Sequence, residues 1–143
     1  MTKHIWIFLM ILAGIVLLAG CTHKDQIMDG PGMINKYRHI SQEQAKEMME
    51  KDDGHVIVDV RRQDEYDAGH IPGAILIPNE SIGKEKPEEL PDLDQIILIY
   101  CRSGNRSKQA AEKLFNIGYT NLFEFGGIQD WTRETVTEED EQK

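Results

Sequence analysis

Apolar residues are distributed along this chain in two distinct ways. Residues 5–19 form one unbroken apolar run, whereas beyond residue 37 short β-branched runs alternate with polar stretches whose apolar residues recur at helical spacing. His55-Val56-Ile57-Val58-Asp59-Val60 is short and mostly apolar at both parities, as a strand buried on both faces of a parallel sheet should be. Gln95-Ile96-Ile97-Leu98-Ile99-Tyr100 carries the strongest strand signal, and residues 74–77 and 121–125 give two shorter ones. Helical stretches lie between them. One starts at Ser41, where Ser41 and Gln44 match a capping box and Ala45, Met48 and Met49 share a face. Residues 62–68 read as a polar helical turn, and Ile71-Pro72-Gly73 as a reverse turn. A longer helix opens near Asn105, aligns Ala110, Ala111, Leu114 and Phe115, and stops at Gly118. Residues 79–94, with Pro87 and Pro91, read as loop with one short helix at most. Gly126-Gly127 reads as a turn, with a last helix starting over residues 128–132. Strands alternating with helices predict a single α/β domain over residues 37–133, with a mainly parallel sheet flanked by helices. Ligands of such sheets sit beyond the carboxyl ends of the strands, where Cys101 lies.

The run 5–19 follows Lys3 and is short for a bilayer span, which needs roughly 20 apolar residues. A basic start, an apolar stretch and small residues at its end read as a secretory signal, residues 1–20. Leu18-Ala19-Gly20-Cys21 stands directly after the run and resembles the lipobox of bacterial lipoproteins. That resemblance implies cleavage before Cys21 and acylation of its sulfur. The expected product is an extracytoplasmic lipoprotein, anchored to a membrane through lipid on Cys21. Each buried CH₂ of an acyl chain contributes about 0.8 kcal/mol, so more than one chain gives a firm anchor. Residues 21–36, which contain Gly, Pro, Asp and Asn without periodicity, read as a tether. Residues 134–143 read as a loose acidic tail.

Charge narrows the partners. The formal charge is −9, and residues 1–20 contain one base, Lys3, and no acid, so their removal leaves −9 − 1 = −10. An acidic domain without clustered Lys and Arg is a poor nucleic-acid binder. Against that background the stretch 95–111 has Arg102, Arg106 and Lys108 and no acid. A positive site in a negative protein suits a small anionic substrate. With Cys21 acylated, Cys101 is the one remaining thiol, which excludes an internal disulfide and marks it as a reactive candidate.

The segment Cys101-Arg102-Ser103-Gly104-Asn105-Arg106-Ser107 joins the strongest strand to the longest helix. A nucleophilic cysteine must ionise, so its ordinary pKa of about 8.5 must fall. Unpaired N–H groups at a helix start and nearby arginines both favour the thiolate. Gly104 permits a tight loop whose amides point inward, so residues 102–106 are expected to cradle an anion beside the catalytic Cys101. Cysteine phosphatases resemble a different pattern, with five residues between Cys and Arg; here that position holds Ser107 and the arginine arrives one residue early. A thioredoxin-like role would need Cys-x-x-Cys. A papain-like role would need a histidine base, and His23, His39, His55 and His70 have no diagnostic setting. Their scatter also argues against a metal site.

The loop 101–106 resembles the six-residue active-site loop of rhodanese-like sulfurtransferases. Asp59-Val60-Arg61 with Glu65-Tyr66, then Gly69-His70-Ile71-Pro72-Gly73-Ala74, then Gly126-Gly127-Ile128 with Trp131 resemble three further motifs of that family, in its order. The resemblance implies a three-layer α/β fold and ping-pong sulfur transfer. The Cys101 thiolate would take the outer sulfur of thiosulfate or a related donor, hold it as a persulfide, and pass it to cyanide or a thiol. Backbone amides of Arg102, Ser103, Gly104, Asn105 and Arg106 would hold that sulfur, and Arg102 and Arg106 would attract the donor. No cofactor is implied. Asp59 and Arg61 are read as braces of the site, His70 as a turn residue and Trp131 as core. A sulfur carrier or binding module without turnover is the alternative reading of the same residues, and a cysteine-based phosphatase or arsenate reductase is a third, disfavoured by the loop length.

Overall fold

The computed structural model describes residues 36–141, so the expected signal peptide, Cys21 and nearly all of the tether lie outside the described residues. Five strands form one sheet: β1 (Arg38–His39), β2 (Val56–Asp59), β3 (Ala74–Leu76), β4 (Ile96–Cys101) and β5 (Asn121–Gly127). Their order is β1-β5-β4-β2-β3, and every neighbouring pair is parallel. Helices α1 (Gln42–Met49), α2 (Gln63–Asp67), α3 (Asn105–Ile117) and α4 (Glu138–Glu141) complete the described chain, with single 3₁₀ turns at Asn79–Ser81 and Ile128–Asp130.

The central strand β4 is apolar at both parities because both sheet faces are covered. Ile97 and Ile99 join Val58, Ala110, Ala111, Leu114 and Leu122 in one buried cluster, on the face covered by α3. Leu98 and Tyr100 join Ile57, Ala45, Phe123 and Phe125 in the other, on the face covered by α1. Each face therefore receives alternate residues of the same strands, the period-2 rule of extended chain. The Ser41–Gln44 capping box is present, the Ser41 hydroxyl accepting from the Gln44 amide at 3.2 Å.

Three sequence expectations need correction. Gly126 and Gly127 are not a turn but the end of β5, where the register shifts so that Ile99 faces Glu124 and Cys101 faces Gly127. Such a bulge bends a strand while keeping it paired. The last helix is only the 3₁₀ turn at Ile128–Asp130. The stretch after residue 134 is not loose throughout: Val136 exchanges two backbone hydrogen bonds of 2.9 Å with His70, and α4 follows. Backbone pairing holds this segment, which an acid-rich composition does not reveal. Strand β1 has only two polar, exposed residues and carries no apolar signal of its own.

Candidate active site

Strand β4 brings Cys101 to its carboxyl end, and the chain then reverses within three residues into α3. Gly104 caps that helix at φ 102°, a left-handed conformation that glycine adopts without a β-carbon clash. The neighbouring strand presses closely on the loop. A β-carbon on Gly127 would lie 2.6 Å from Ser103 Cα and would collide with the Arg102 carbonyl, so only glycine lets β5 approach. The Gln129 amide then donates to the Arg102 carbonyl at 3.3 Å and ties the loop down from its other side.

This wrapping turns peptide N–H groups onto sulfur. The Gly104 amide donates to Cys101 Sγ at 3.0 Å. Burial opposes ionisation of the thiol most strongly. Hydrogen bonds from the Ser107 hydroxyl and from the Ser107, Gly104 and Ser103 amides together outweigh it, leaving the Cys101 pKa below its ordinary value. The residue is only 1 % exposed, so a slender group reaches the sulfur more readily than a bulky one. The amide donors to the sulfur are those of Ser103, Gly104 and Ser107, a subset of the expected 102–106 run plus one residue beyond it.

The arginines divide. Arg106 forms a fork with Glu65 of α2 at 2.6 and 2.8 Å. Hydrogen bonding to Arg106, opposed by burial, holds the Glu65 carboxyl down at about 2. Arg106 thus shares its charge with Glu65 at the edge of the site. The stretch 95–111 has no acid of its own, but the fold brings Glu65 from another part of the chain. Arg102 is exposed and forms no ion pair among the described residues. Both arginines line a cleft of about 350 Å³ with Arg61, Arg62, Glu65, Ala68, Ile128 and Gln129. Arg62 is tied to Asp64 at 2.9 Å, which leaves Arg102 as the one uncommitted cation of the cleft among the described residues. Asn105 is exposed as the first residue of α3.

Asp59 and Arg61 stand at the end of β2, beside β4. The fully buried Asp59 carboxylate accepts from Arg61 Nη2 at 2.6 Å and Nε at 2.9 Å, and from the Arg61 amide at 2.9 Å. Arg61 Nη2 also donates to the Gly69 carbonyl at 2.7 Å. The pair thus bolts the start of α2 to the turn at residues 69–73. The Tyr100 hydroxyl, which accepts from the Ile71 amide at 3.1 Å, is pushed strongly upward in pKa, by burial first and Asp59 second. His70 stacks on Tyr66 at 3.7 Å between ring centres. Among the described residues, Cys101 has no histidine among its hydrogen-bond partners.

Ser107, Glu65, Glu124 and Gln129 are site residues that the sequence reading did not assign. Glu124 had a signal: a lone acid inside the apolar strand Leu122-Phe123-Glu124-Phe125. It is fully buried beneath the loop.

A parallel α/β domain with one amide-wrapped cysteine at the end of its central strand defines a cysteine-centred transferase scaffold. Residues 41–134 match the model of the rhodanese-like domain. The chain belongs to the rhodanese-like family. It is 36 % identical over 96 residues to the thiosulfate sulfurtransferase GlpE of Pseudoalteromonas translucida, covering 66 % of this chain and 89 % of that one. It is 36 % identical over 73 residues to the thiosulfate sulfurtransferase PspE of Escherichia coli, covering 51 % and 70 %. It is 37 % identical over 97 residues to the candidate sulfur carrier protein YrkF of Bacillus subtilis, covering 67 % of this chain but only 51 % of that longer relative. Among solved structures, a rhodanese-like domain protein from Staphylococcus aureus matches with a TM-score of 0.61 at 30 % identity, covering 71 % of this chain and 98 % of that one.

Proposed function

We propose that this domain transfers sulfane sulfur from thiosulfate, or a similar anionic donor, to cyanide or a thiol through a persulfide on Cys101. The observation that carries this reading is the Gly104 amide on Sγ at 3.0 Å, joined by the Ser103 and Ser107 amides. These donors favour thiolate at rest and an anionic persulfide afterwards. In the first step a bond forms between Sγ and the donor's outer sulfur. The donor's S–S bond breaks, and its electron pair leaves with sulfite. In the second step the acceptor attacks the outer sulfur, and the pair of the persulfide bond returns to Sγ as thiolate. Arg102 draws the donor to the cleft. The near-complete burial of Cys101 suits a reacting atom as narrow as a sulfane sulfur.

Thiosulfate:cyanide turnover by the protein, absent in Cys101→Ala, tests the reading; a Cys101→Ala variant of unchanged activity would overturn it. The similarity to YrkF favours a second reading, a carrier that loads sulfur on Cys101 but hands it only to a specific protein thiol. Persulfide formation without cyanide turnover would select it.

We further propose that the domain over residues 37–133 works outside the cytoplasm, tethered by residues 21–36 to lipid on Cys21. The apolar run 5–19 and Leu18-Ala19-Gly20-Cys21 support this. Cys21→Ser should lose both lipid and membrane association. Tight membrane retention of that variant would instead make residues 5–19 the anchor.

A further inference from the structure

Glu124 is a fully buried polar residue that the transfer chemistry above does not use. It has the parity of Leu122, so it points to the sheet face covered by α3, where Leu122 joins the apolar cluster. A carboxyl group buried there is costly unless its oxygens are hydrogen-bonded, and both have partners. Oε1 accepts from the Ser107 hydroxyl at 2.6 Å and from the Gly126 amide at 2.8 Å. Oε2 lies 2.6 Å from Nδ1 of His39 in β1. One side chain thus joins β1, β5 and α3.

The two donors to Oε1 flank the Cys101 loop. Ser107 stands in the first turn of α3, and its hydroxyl also donates to the Gly104 carbonyl at 2.9 Å. Gly104 is thereby held at both ends. Its carbonyl is held by Ser107 and by the Lys108 amide at 3.3 Å, and its own amide donates to Sγ at 3.0 Å. On the other side, Gly126 belongs to the β5 bulge, where Phe125 and Gly126 together stand opposite Tyr100. The ladder leaves an inserted residue unpaired, and here the Gly126 amide goes to Oε1 instead. The next residue, Gly127, is the one pressed against the Arg102 carbonyl and Ser103 Cα. The same groups bound the space beside Gly104: a β-carbon there would lie 3.6 Å from Gly126 Cα and 3.8 Å from Glu124 Oε1.

We propose that Glu124 is a positioning residue for sulfur transfer, clamping the first turn of α3 to the β5 bulge and so holding the Gly104 amide on Cys101 Sγ. Glu124 itself touches neither donor nor acceptor. Its action is geometric: Oε1 serves as one acceptor for two donors, and an amide oxygen in the same place would serve as well. A cradle fixed before the donor arrives needs no rearrangement while charge moves on and off the sulfur. The consequence for rate rests on the Cys101 chemistry proposed above; the clamp itself needs no sulfur donor.

The test is single-turnover persulfide formation by the protein over a range of thiosulfate concentrations, with the Gly104 amide resonance followed by NMR. Glu124→Ala should lower the plateau rate about a hundredfold, as for a reacting group misplaced by about 1 Å. The half-saturating thiosulfate concentration should stay nearly unchanged, because Arg102 still draws the donor. Glu124→Gln offers an oxygen to Ser107 and Gly126 and an amide group to His39, so it should recover most of the plateau. The Gly104 amide should keep its wild-type shift and slow exchange in Glu124→Gln and lose both in Glu124→Ala. Where Glu124→Ala fails to fold, Ser107→Ala decides: it severs only the α3 half of the clamp, and should lower the plateau and move the Gly104 resonance. A folded Glu124→Ala, or failing that Ser107→Ala, with wild-type plateau and Gly104 resonance would overturn the proposal. So would Glu124→Gln as slow as Glu124→Ala. A wild-type protein that forms no persulfide, with the Gly104 resonance still displaced in Glu124→Ala, would remove the sulfurtransferase reading and leave the clamp standing.

Discussion

Two neighbouring strands, β2 and β4, end side by side with Asp59 opposite Tyr100, and the chain leaves them in opposite ways. After β2, polar groups satisfy one another. Asp59 is filled by the Arg61 guanidinium and amide, and Arg61 by Asp59 and the Gly69 carbonyl. After β4, polar groups converge on a single sulfur, and Arg102 beside them keeps no ionic partner among the described residues. The first ending is a closed bracket, the second an unfinished shell that a ligand can complete. The difference teaches where to look for chemistry: charge is present at both ends, but only one leaves donors to spare.

Breaking the bracket should have the largest effect on folding. Asp59→Ala leaves the Arg61 guanidinium, 7 % exposed, without its carboxylate. Loss of about 3–5 kcal/mol is expected by urea denaturation, the usual cost of leaving a buried charge unpaired. A loss under 1 kcal/mol would show that the bracket is solvated and the contrast false. Opening the shell should instead spare stability and cost binding. Arg102→Ala should raise the KM for thiosulfate about tenfold, the worth of one hydrogen bond to a charged group. It should leave the urea midpoint nearly unchanged. Arg106→Ala should raise KM less than Arg102→Ala does, since Glu65 already occupies it; equal effects would mean that both arginines meet the donor.

The Glu65–Arg106 fork lies between the two endings and should give the smallest change. Glu65→Gln should cost about 1 kcal/mol, as for a partly exposed pair. Its folded pKa, about 2, lies below the ordinary 4.5. Its contribution is therefore present above pH 4.5 and is lost as pH falls from there toward 2. Urea midpoints of wild type and Glu65→Gln should accordingly converge on acidification; a difference that persists at the acid end would refute the linkage.

Much of this contrast was legible in the sequence. Residues 95–100 declared the central strand through continuous apolar character, and Gly104 with the following helix announced a turn aimed at Cys101. Asp59 and Arg61 are legible as braces because charges at the end of an apolar strand have to be paired. What escaped was partnership across distance. Glu65 is 41 residues from Arg106, and His39 is 85 residues from Glu124. No periodicity encodes such pairs; the parallel register brings them together. The two-residue β1 and the Val136–His70 bridge escaped because backbone hydrogen bonds hold them, and these leave no trace in side-chain pattern. The glycine pair at residues 126–127 looked like a turn. It extends a strand instead, since Gly127 is needed for close approach to the loop rather than for reversal.

The central claim is that sulfur rests on Cys101. Intact-mass measurement of the protein after thiosulfate treatment tests it most directly. The account predicts a gain of one sulfur atom, mapped to Cys101, reversed by cyanide and absent in Cys101→Ala. An unchanged mass in a folded protein with a free Cys101, or a gain that survives in Cys101→Ala, would contradict it.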